Sequence, residues 1–305
     1  MKAASRIGST ASLTLIAVLA MAGCMPGPIS CADSSGTRVE LATPARRIVS
    51  TVPSNTEILY SLGLRDRVVA VTRYCRKTCD TRGKLIIGGW TDPDIDKVAA
   101  LRPDLIFAFG GLQKPHAARF RRIAPAYFFQ PLTVEEILRG VLDVGTLTGT
   151  SRRAEKIVAA QRRILGEVQS ELKRIPSRKP LRVARVFGAG RKVLTVGNRD
   201  VLNDVIEQAG AVNVFAAEKR GFFHMTFEDF ARHDPDVLLV HGEDPGKVRA
   251  AFKKCPHFGR LRAVRQGRVV VRSCAHICHP NARIAETVRM LAQDFYPQLT
   301  TASGE

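Results

Sequence analysis

Ile95-Asp96-Lys97-Val98-Ala99-Ala100-Leu101-Arg102-Pro103-Asp104-Leu105-Ile106-Phe107-Ala108-Phe109-Gly110 decides the fold, because the chain carries its pattern twice. Moved forward by 132 positions (Ile95 onto Phe227) and without a gap, it lies over Phe227-Glu228-Asp229-Phe230-Ala231-Arg232-His233-Asp234-Pro235-Asp236-Val237-Leu238-Leu239-Val240-His241-Gly242. Both copies read acid, short helix, Pro-Asp, apolar strand, Gly. The residue before a proline is pushed out of the helical region, so Pro103 and Pro235 end their helices. The apolar runs do not alternate with polar residues, which fits strands covered on both faces.

The same alternation extends outward from each copy. Before the first lie an expected strand Arg47–Val52, a helix opened by the capping-box sequence Ser54-Asn55-Thr56-Glu57 and running through Leu62, and strands Val68–Thr72 and Leu85–Gly88. After it come a helix near 114–123 and a strand Tyr127–Phe129. Around the second copy, strands are expected at Arg182–Phe187, Lys192–Val196 and Val269–Val271, with helices at Val201–Ala209, Pro245–Lys254 and Ala282–Phe295. Between the two halves, Val134 to Leu172 is apolar at helical spacing, with Gly145 and Gly149 as joints. That predicts a short helix and then a long one of roughly 24 residues, about 36 Å at 1.5 Å per residue. Pro176 and Pro180 stop it. The expected fold is α/β: two Rossmann-like lobes with central parallel sheets (45–148 and 177–299) joined by one long α-helix (149–176).

The N-terminus reads as a targeting segment. Lys2 and Arg6 precede an apolar run, Ala11–Gly23, too short to span a bilayer comfortably. It ends in Met21-Ala22-Gly23-Cys24, which resembles a bacterial lipobox with Cys24 as the lipidated residue. Residues 1–23 are then a signal peptide, and 24–44, rich in Ser, Pro, Gly and Thr, a tether on a lipid anchor. The 305 residues carry a formal charge of +19. The basic residues are spread along the chain with few aromatics between them, so a solvated basic surface is expected and nucleic acid is not.

Six cysteines remain after Cys24: Cys31, Cys75, Cys79, Cys255, Cys274 and Cys278. Cys75 and Cys79 follow the second expected strand; Cys274-Ala275-His276-Ile277-Cys278-His279 follows the last. Three readings stand together: disulfides bracing the two loops, a soft or borderline metal held by Cys75, Cys79, Cys274, Cys278 and His279, or free thiols. His116, His224 and His241 are isolated. Gly-x-Ser-x-Gly, a P-loop, His-Glu-x-x-His and a dinucleotide fingerprint are all absent, so a metal-dependent or thiol redox enzyme would have to rest on the Cys/His cluster.

The stretches Arg47–Glu57, Val71-Thr72-Arg73-Tyr74-Cys75, Gly88-Gly89-Trp90-Thr91-Asp92-Pro93, Leu101–Ile106, Thr195-Val196-Gly197 and Gly210–Phe215 resemble the periplasmic cobalamin-binding proteins, part of the group that binds cobalamin, ferric siderophores and haem. The resemblance runs from about Arg46 to Leu299. It implies a monomeric extracytoplasmic solute-binding protein, needing no cofactor, that holds a corrinoid between its lobes and delivers it to the membrane subunits of an ABC importer. A ferric siderophore, haem or metal-ion cargo is the alternative. Trp90, Tyr74 and Phe222 fall where such proteins place cleft aromatics, and flat apolar faces suit a large chelate. Asn55, Cys75 and Cys278 are further expected ligand-binding residues. Asp96 and Glu228, one acid in each repeat copy, match the permease-docking acids, although a helix-dipole role alone also accounts for an acid there.

Overall fold

The computed structural model describes residues 28–301. The signal segment and Cys24 lie outside the described residues. In chain order the strands are β1 (Ile29–Ala32), β2 (Arg38–Leu41), β3 (Ile48–Ser50), β4 (Val68–Val71), β5 (Leu85–Ile86), β6 (Leu105–Phe109), β7 (Ala126–Phe129), β8 (Arg182–Val186), β9 (Lys192–Val196), β10 (Val212–Asn213), β11 (Phe222–Thr226), β12 (Val237–His241) and β13 (Val269–Arg272). The helices are α1 (Pro53–Ser61), α2 (Ile95–Ala100), α3 (Ala117–Ile123), α4 (Val134–Thr148), α5 (Ser151–Lys173), α6 (Val201–Gln208), α7 (Phe227–Arg232), α8 (Pro245–Lys254), α9 (Arg262–Arg265), α10 (Cys274–Ile277), α11 (Ile284–Phe295) and α12 (Gln298–Thr301).

Two parallel sheets result. One has the order β5-β4-β3-β6-β7, the other β10-β8-β12-β13, and an antiparallel pair β9-β11 stands beside the second. The repeat that suggested this is reproduced in detail. Helices α2 and α7, and strands β6 and β12, start at equivalent positions. Arg102 and Asp234, also equivalent, are both forced to positive φ, at 44° and 37°. Past each Pro-Asp turn the aspartate carboxylate accepts backbone N–H groups from the strand alongside: Asp104 from Arg46 and Arg47, Asp236 from Arg182. In both lobes an arginine of that strand reaches back to the helix end, Arg47 to the carbonyl of Leu101 and Arg182 to that of His233.

Several local expectations are corrected. Ser54 does not cap α1. The helix starts at Pro53, a residue suited to a first-turn position because its missing N–H has no partner to lose. Glu57 is thereby freed from any capping role. Gly145 is no joint: it lies inside α4, where its bare backbone admits the Ala154 methyl. Gly149, at φ +70°, ends α4 in the left-handed conformation that glycine adopts without strain. The stretch assigned to a tether is folded from Ile29 on. β1 and β2 form an antiparallel hairpin whose Val39 and Leu41 are buried, because alternate residues of Arg38-Val39-Glu40-Leu41 point into the core.

The long helix does not stand alone. α5 packs on α4 and on α11, burying Ala154, Val158, Gln161, Val168 and Leu172. One apolar cluster runs through these helices from Leu105 and Phe107 of the first sheet to Val183 and Leu239 of the second. Gln161 accepts the N–H of Ala285 at 3.0 Å, tying α5 to the start of α11. At the first sheet, α4 approaches so closely that a methyl on Gly140 would overlap the Phe129 ring. Gly140→Ala is therefore expected to destabilise the protein by about 1–2 kcal/mol, the overpacking cost exceeding the roughly 1 kcal/mol that alanine contributes in a helix. Urea unfolding measures it; a variant as stable as the parent would show that Phe129 swings aside freely.

Candidate functional site

In sheets of this kind ligands meet the carboxyl ends of the strands, where the order reverses. At that edge of the first sheet, Gln113 is fully buried and makes four hydrogen bonds. Its carboxamide oxygen accepts from Thr51 Oγ1 at 2.6 Å and from the Phe109 N–H at 2.8 Å; its NH2 donates to the carbonyls of Thr51 at 3.2 Å and Trp90 at 2.7 Å. One side chain thus ties the ends of β3 and β6 to the loop that carries Trp90. Gly88, at φ +90°, lets that loop close against Asp92 and Pro93, where any Cβ would meet the Asp92 carbonyl oxygen. Trp90 ends up 37% exposed. It lies edge-on to Tyr74, itself 39% exposed, at 6.4 Å, and tilted against Phe109 at the same distance. Phe222, at the start of β11, is 61% exposed and rests on Phe187 at 5.3 Å. Aromatic faces left in solvent on both lobes are free contact area for an apolar or flat ligand.

Two expected ligand residues are not on this surface. Asn55 is fully buried; its NH2 donates to the carbonyls of Phe107 and Ala108, both at 3.1 Å, so it fixes the end of β6. Cys75 is fully buried as well, its sulfur 3.3 Å from the hydroxyls of Thr56 and Thr72. A short 3-10 turn, Arg73–Lys77, points Cys75 inward and leaves Tyr74 outward.

The second lobe contributes a residue that sequence reasoning missed. Arg185, in the middle of β8, is fully buried. Its guanidinium donates to the carbonyls of Val186 and Leu239, lies 4.1 Å over the Phe187 ring, and contacts His241 Nδ1 at 3.1 Å and Cys278 Sγ at 3.5 Å. Burial presses its pKa down, and the charges of Cys278, Cys274 and the more distant Asp200 oppose that. The signal was present: a charged residue inside the apolar strand Arg182-Val183-Ala184-Arg185-Val186 either faces solvent or has a buried partner.

Around Arg185 the C-terminal Cys/His motif closes. α10 is one turn long, with Cys274 at its start and Cys278 capping its end. Cys278 and His279 push the pKa of the Cys274 thiol well down, while Cys278 is itself pushed up by Cys274 and by burial. His279 loses some basicity to burial but gains more from Cys274 and Glu57, and ends at about 9. Its Nδ1 lies 2.8 Å from Glu57 Oε1, and Asn281 donates to Glu57 Oε2 at 2.6 Å. Glu57 belongs to α1 of the first lobe. The supposed capping residue is therefore the polar clasp between the lobes.

This arrangement revises the other cysteine readings. All six described cysteines are thiols. Among the described residues no three His, Cys, Asp or Glu side chains come together to hold a metal ion, so the five-residue metal site does not form. Cys75 is in the core, and Cys79 lines a separate cavity of about 730 Å³ between α1, the loop at 77–80 and α10–α11, walled also by Glu57, Tyr60, Asn281 and Met290. Trp90, Tyr74 and Phe222 do not line that cavity. His241 is not isolated, since it stacks near Phe187 and meets Arg185.

Asp96 and Glu228 stand exposed in the first turns of α2 and α7. Neither caps its helix: Asp94 accepts from Lys97 N in one, Thr226 from Asp229 N in the other. The ion pairs of these turns use Asp94 with Lys97 and Asp229 with Arg232. Asp96 and Glu228 thus point away with their carboxylates uncommitted to any ion pair of the described residues.

Two α/β lobes on a shared helical spine, each with exposed aromatic side chains, define a two-lobed solute-binding protein. A family model for the periplasmic binding proteins matches residues 48–272, and the chain belongs to that family. Its members are solute-binding proteins rather than enzymes, and this is an ABC-type substrate-binding protein. The chain is 28% identical over 280 residues to an uncharacterized ABC transporter substrate-binding lipoprotein, YvrC, of Bacillus subtilis, covering 88% of this chain and 86% of that one. It is 26% identical over 203 residues to a vitamin B12-binding protein of Yersinia pestis, covering 66% and 71%. Similar solved folds include the vitamin B12-binding protein BtuF of Vibrio cholerae (TM-score 0.72, 22% identity, 86% and 99% covered) and the haem-binding protein RhuT of Roseiflexus (TM-score 0.70, 21% identity, 84% and 99% covered).

The thiol cluster has a pH signature. A depressed pKa means that Cys274 is a thiolate at pH values where an ordinary thiol, near 8.5, is still protonated. Iodoacetamide at pH 6 is expected to alkylate Cys274 at least about tenfold faster than Cys255, and Glu57→Gln to narrow the gap by weakening His279 as a cation. Equal labelling of both cysteines, read by peptide mass spectrometry, would refute the assignment.

Proposed function

We propose that the chain binds cobalamin or a related corrinoid between its lobes and hands it to the membrane subunits of an ABC importer. The observation that carries this reading is the pair of exposed aromatic faces, Tyr74 with Trp90 on one lobe and Phe222 with Phe187 on the other. A corrin is broad, flat and largely apolar at its rim, and such faces bury it without demanding charge. The relatives named as vitamin B12-binding proteins support the same cargo. A bare metal ion is disfavoured by the lack of three converging ligands among the described residues. Haem is the second reading, favoured by the likeness to a haem-binding fold.

Delivery rests on Asp96 and Glu228. Their equivalent places in the repeat give the two lobes equivalent negative points, which suits arginines on two equivalent membrane subunits. Anchoring at Cys24 after removal of residues 1–23 completes the reading and is supported by the lipoprotein relative.

Calorimetry on residues 28–305 with cyanocobalamin, diaquacobinamide and haem tests the cargo. Micromolar or tighter corrinoid binding is expected, with quenching of Trp90, the one tryptophan of the chain. Trp90→Ala is expected to weaken binding about tenfold or more, equivalent to about 1.4 kcal/mol; unchanged affinity removes Trp90 from the site. The double variant Asp96→Lys, Glu228→Lys is expected to bind normally and lose most transport in cells, and full transport would remove both acids from docking.

A further inference from the structure

We propose that His241 is a neutral hydrogen-bond donor to the cargo: its Nε2–H meets a carboxamide oxygen on the rim of a corrinoid, and the ring is no ligand to the metal. This rests on the corrinoid-binding reading above and deepens it by assigning a polar contact that reads the rim of the cargo.

The place of the residue comes first. In the second sheet the strand order reverses between β8 and β12, and ligands enter the crevice beyond the carboxyl ends of two such strands. Val240 of β12 lies beside Val186 of β8, so the next residues, His241 and Phe187, reach that crevice side by side. Their rings are 5.7 Å apart, and Phe187 supports the exposed Phe222 at 5.3 Å. The gap-free repeat sets His241 onto Phe109, which backs Trp90 at 6.4 Å in the first lobe. Equivalent strand ends therefore stand behind the exposed aromatics of both lobes, one with a phenyl ring and one with an imidazole.

The protonation of that imidazole follows from its partner. An Arg185 guanidinium nitrogen lies 3.1 Å from His241 Nδ1. A guanidinium has five N–H donors and no acceptor, so Nδ1 accepts and the ring hydrogen is on Nε2. A second proton would set an Nδ1–H against the guanidinium. Burial and the Arg185 charge hold the imidazole pKa below its ordinary value, against weaker opposing pulls from Cys274 and Glu243, and the ring is neutral at pH 7.

His241 is partly exposed, and its Nε2 hydrogen-bonds no other described residue. An open donor thus stands beside the aromatic wall. A metal needs the lone pair of a ring nitrogen. Nδ1 has committed its own to Arg185 and Nε2 carries hydrogen, so the metal of a chelate finds none here. An acceptor fits instead. A corrin rim carries several carboxamides, whose carbonyl oxygens accept from a neutral N–H without the burial of an ion.

Two nearly isosteric variants separate the roles. His241→Gln keeps one acceptor for Arg185 and one donor for the cargo. His241→Glu keeps an acceptor for Arg185 but presents a carboxylate oxygen where the N–H stood. Calorimetry with diaquacobinamide is expected to place His241→Gln within about threefold of wild type and His241→Glu at least about tenfold weaker. The visible spectrum of the bound corrinoid is expected to be the same in wild type and His241→Gln. Long-range proton–nitrogen NMR of histidine-labelled protein, with the His241 signals identified by their loss in His241→Gln, is expected to show hydrogen on Nε2 at pH 7. Equal affinities of the two variants, hydrogen on Nδ1, or an imidazole-ligated corrin spectrum in wild type that His241→Gln lacks would overturn the assignment and leave the corrinoid reading in place. Failure of wild type to bind any corrinoid overturns that reading, and the proposal with it.

Discussion

Everything functional in this molecule depends on one apolar continuity: the cluster that passes from the first sheet through α4, α5 and α11 into the second. A lone connecting helix would fix the distance between two lobes but leave them free to roll. Here α5 is gripped on one flank by α4 and on another by α11, and the buried faces of all three belong to the same core. Relative rotation would expose Val168 and Leu172, at a cost of about 1.5–3 kcal/mol for each large aliphatic side chain brought into water. The carboxyl edges of the two sheets are therefore held in register with each other. A clasp as short as Glu57 to His279 exists only because that register is kept.

The same rigidity explains how a charged cluster is tolerated between the lobes. Arg185 is fully buried and His279 and Glu57 are partly so, each costly to desolvate; Arg185 is held by Cys278 and His241, and His279 by Glu57. Opening the seam would separate Glu57 from His279 and Asn281 together and leave half-satisfied charges on both sides. The network and the core thus favour small movements on ligand binding over a wide hinge, which for a flat cargo means a slot of nearly fixed width.

Much of the fold was legible because it depends on spacing. The gap-free repeat, the strands apolar on consecutive residues and the unbroken helical run between Val134 and Leu172 all follow from local periodicity, and the structure reproduces them down to the equivalent positive φ of Arg102 and Asp234. The hairpin β1–β2 escaped notice because four-residue strands among Ser, Thr and Gly carry too little pattern to stand out. Of the candidate site, the sequence showed only the residues whose type announces itself. Trp90, Tyr74 and Phe222 are exposed aromatics, whereas Asn55 and Cys75, singled out beside them, face inward, since one residue along a turn changes the direction of a side chain.

Glu57 and Arg185 show why the remainder could not be read. Ser54-Asn55-Thr56-Glu57 has a capping signature, but a proline at position 53 takes the helix start two residues earlier and turns the glutamate toward the other lobe. Its partner lies 222 residues away in sequence, and no local rule connects them. Arg185 did break a local rule, a charge inside a strand otherwise buried, and a rule broken without an adjacent compensation points to a partner brought by tertiary structure. That partner is the Cys/His motif after β13. The two anomalies that sequence reading left separate, an arginine in a core strand and a cluster of thiols without enough ligands for a metal, each account for the other once the fold puts them in contact.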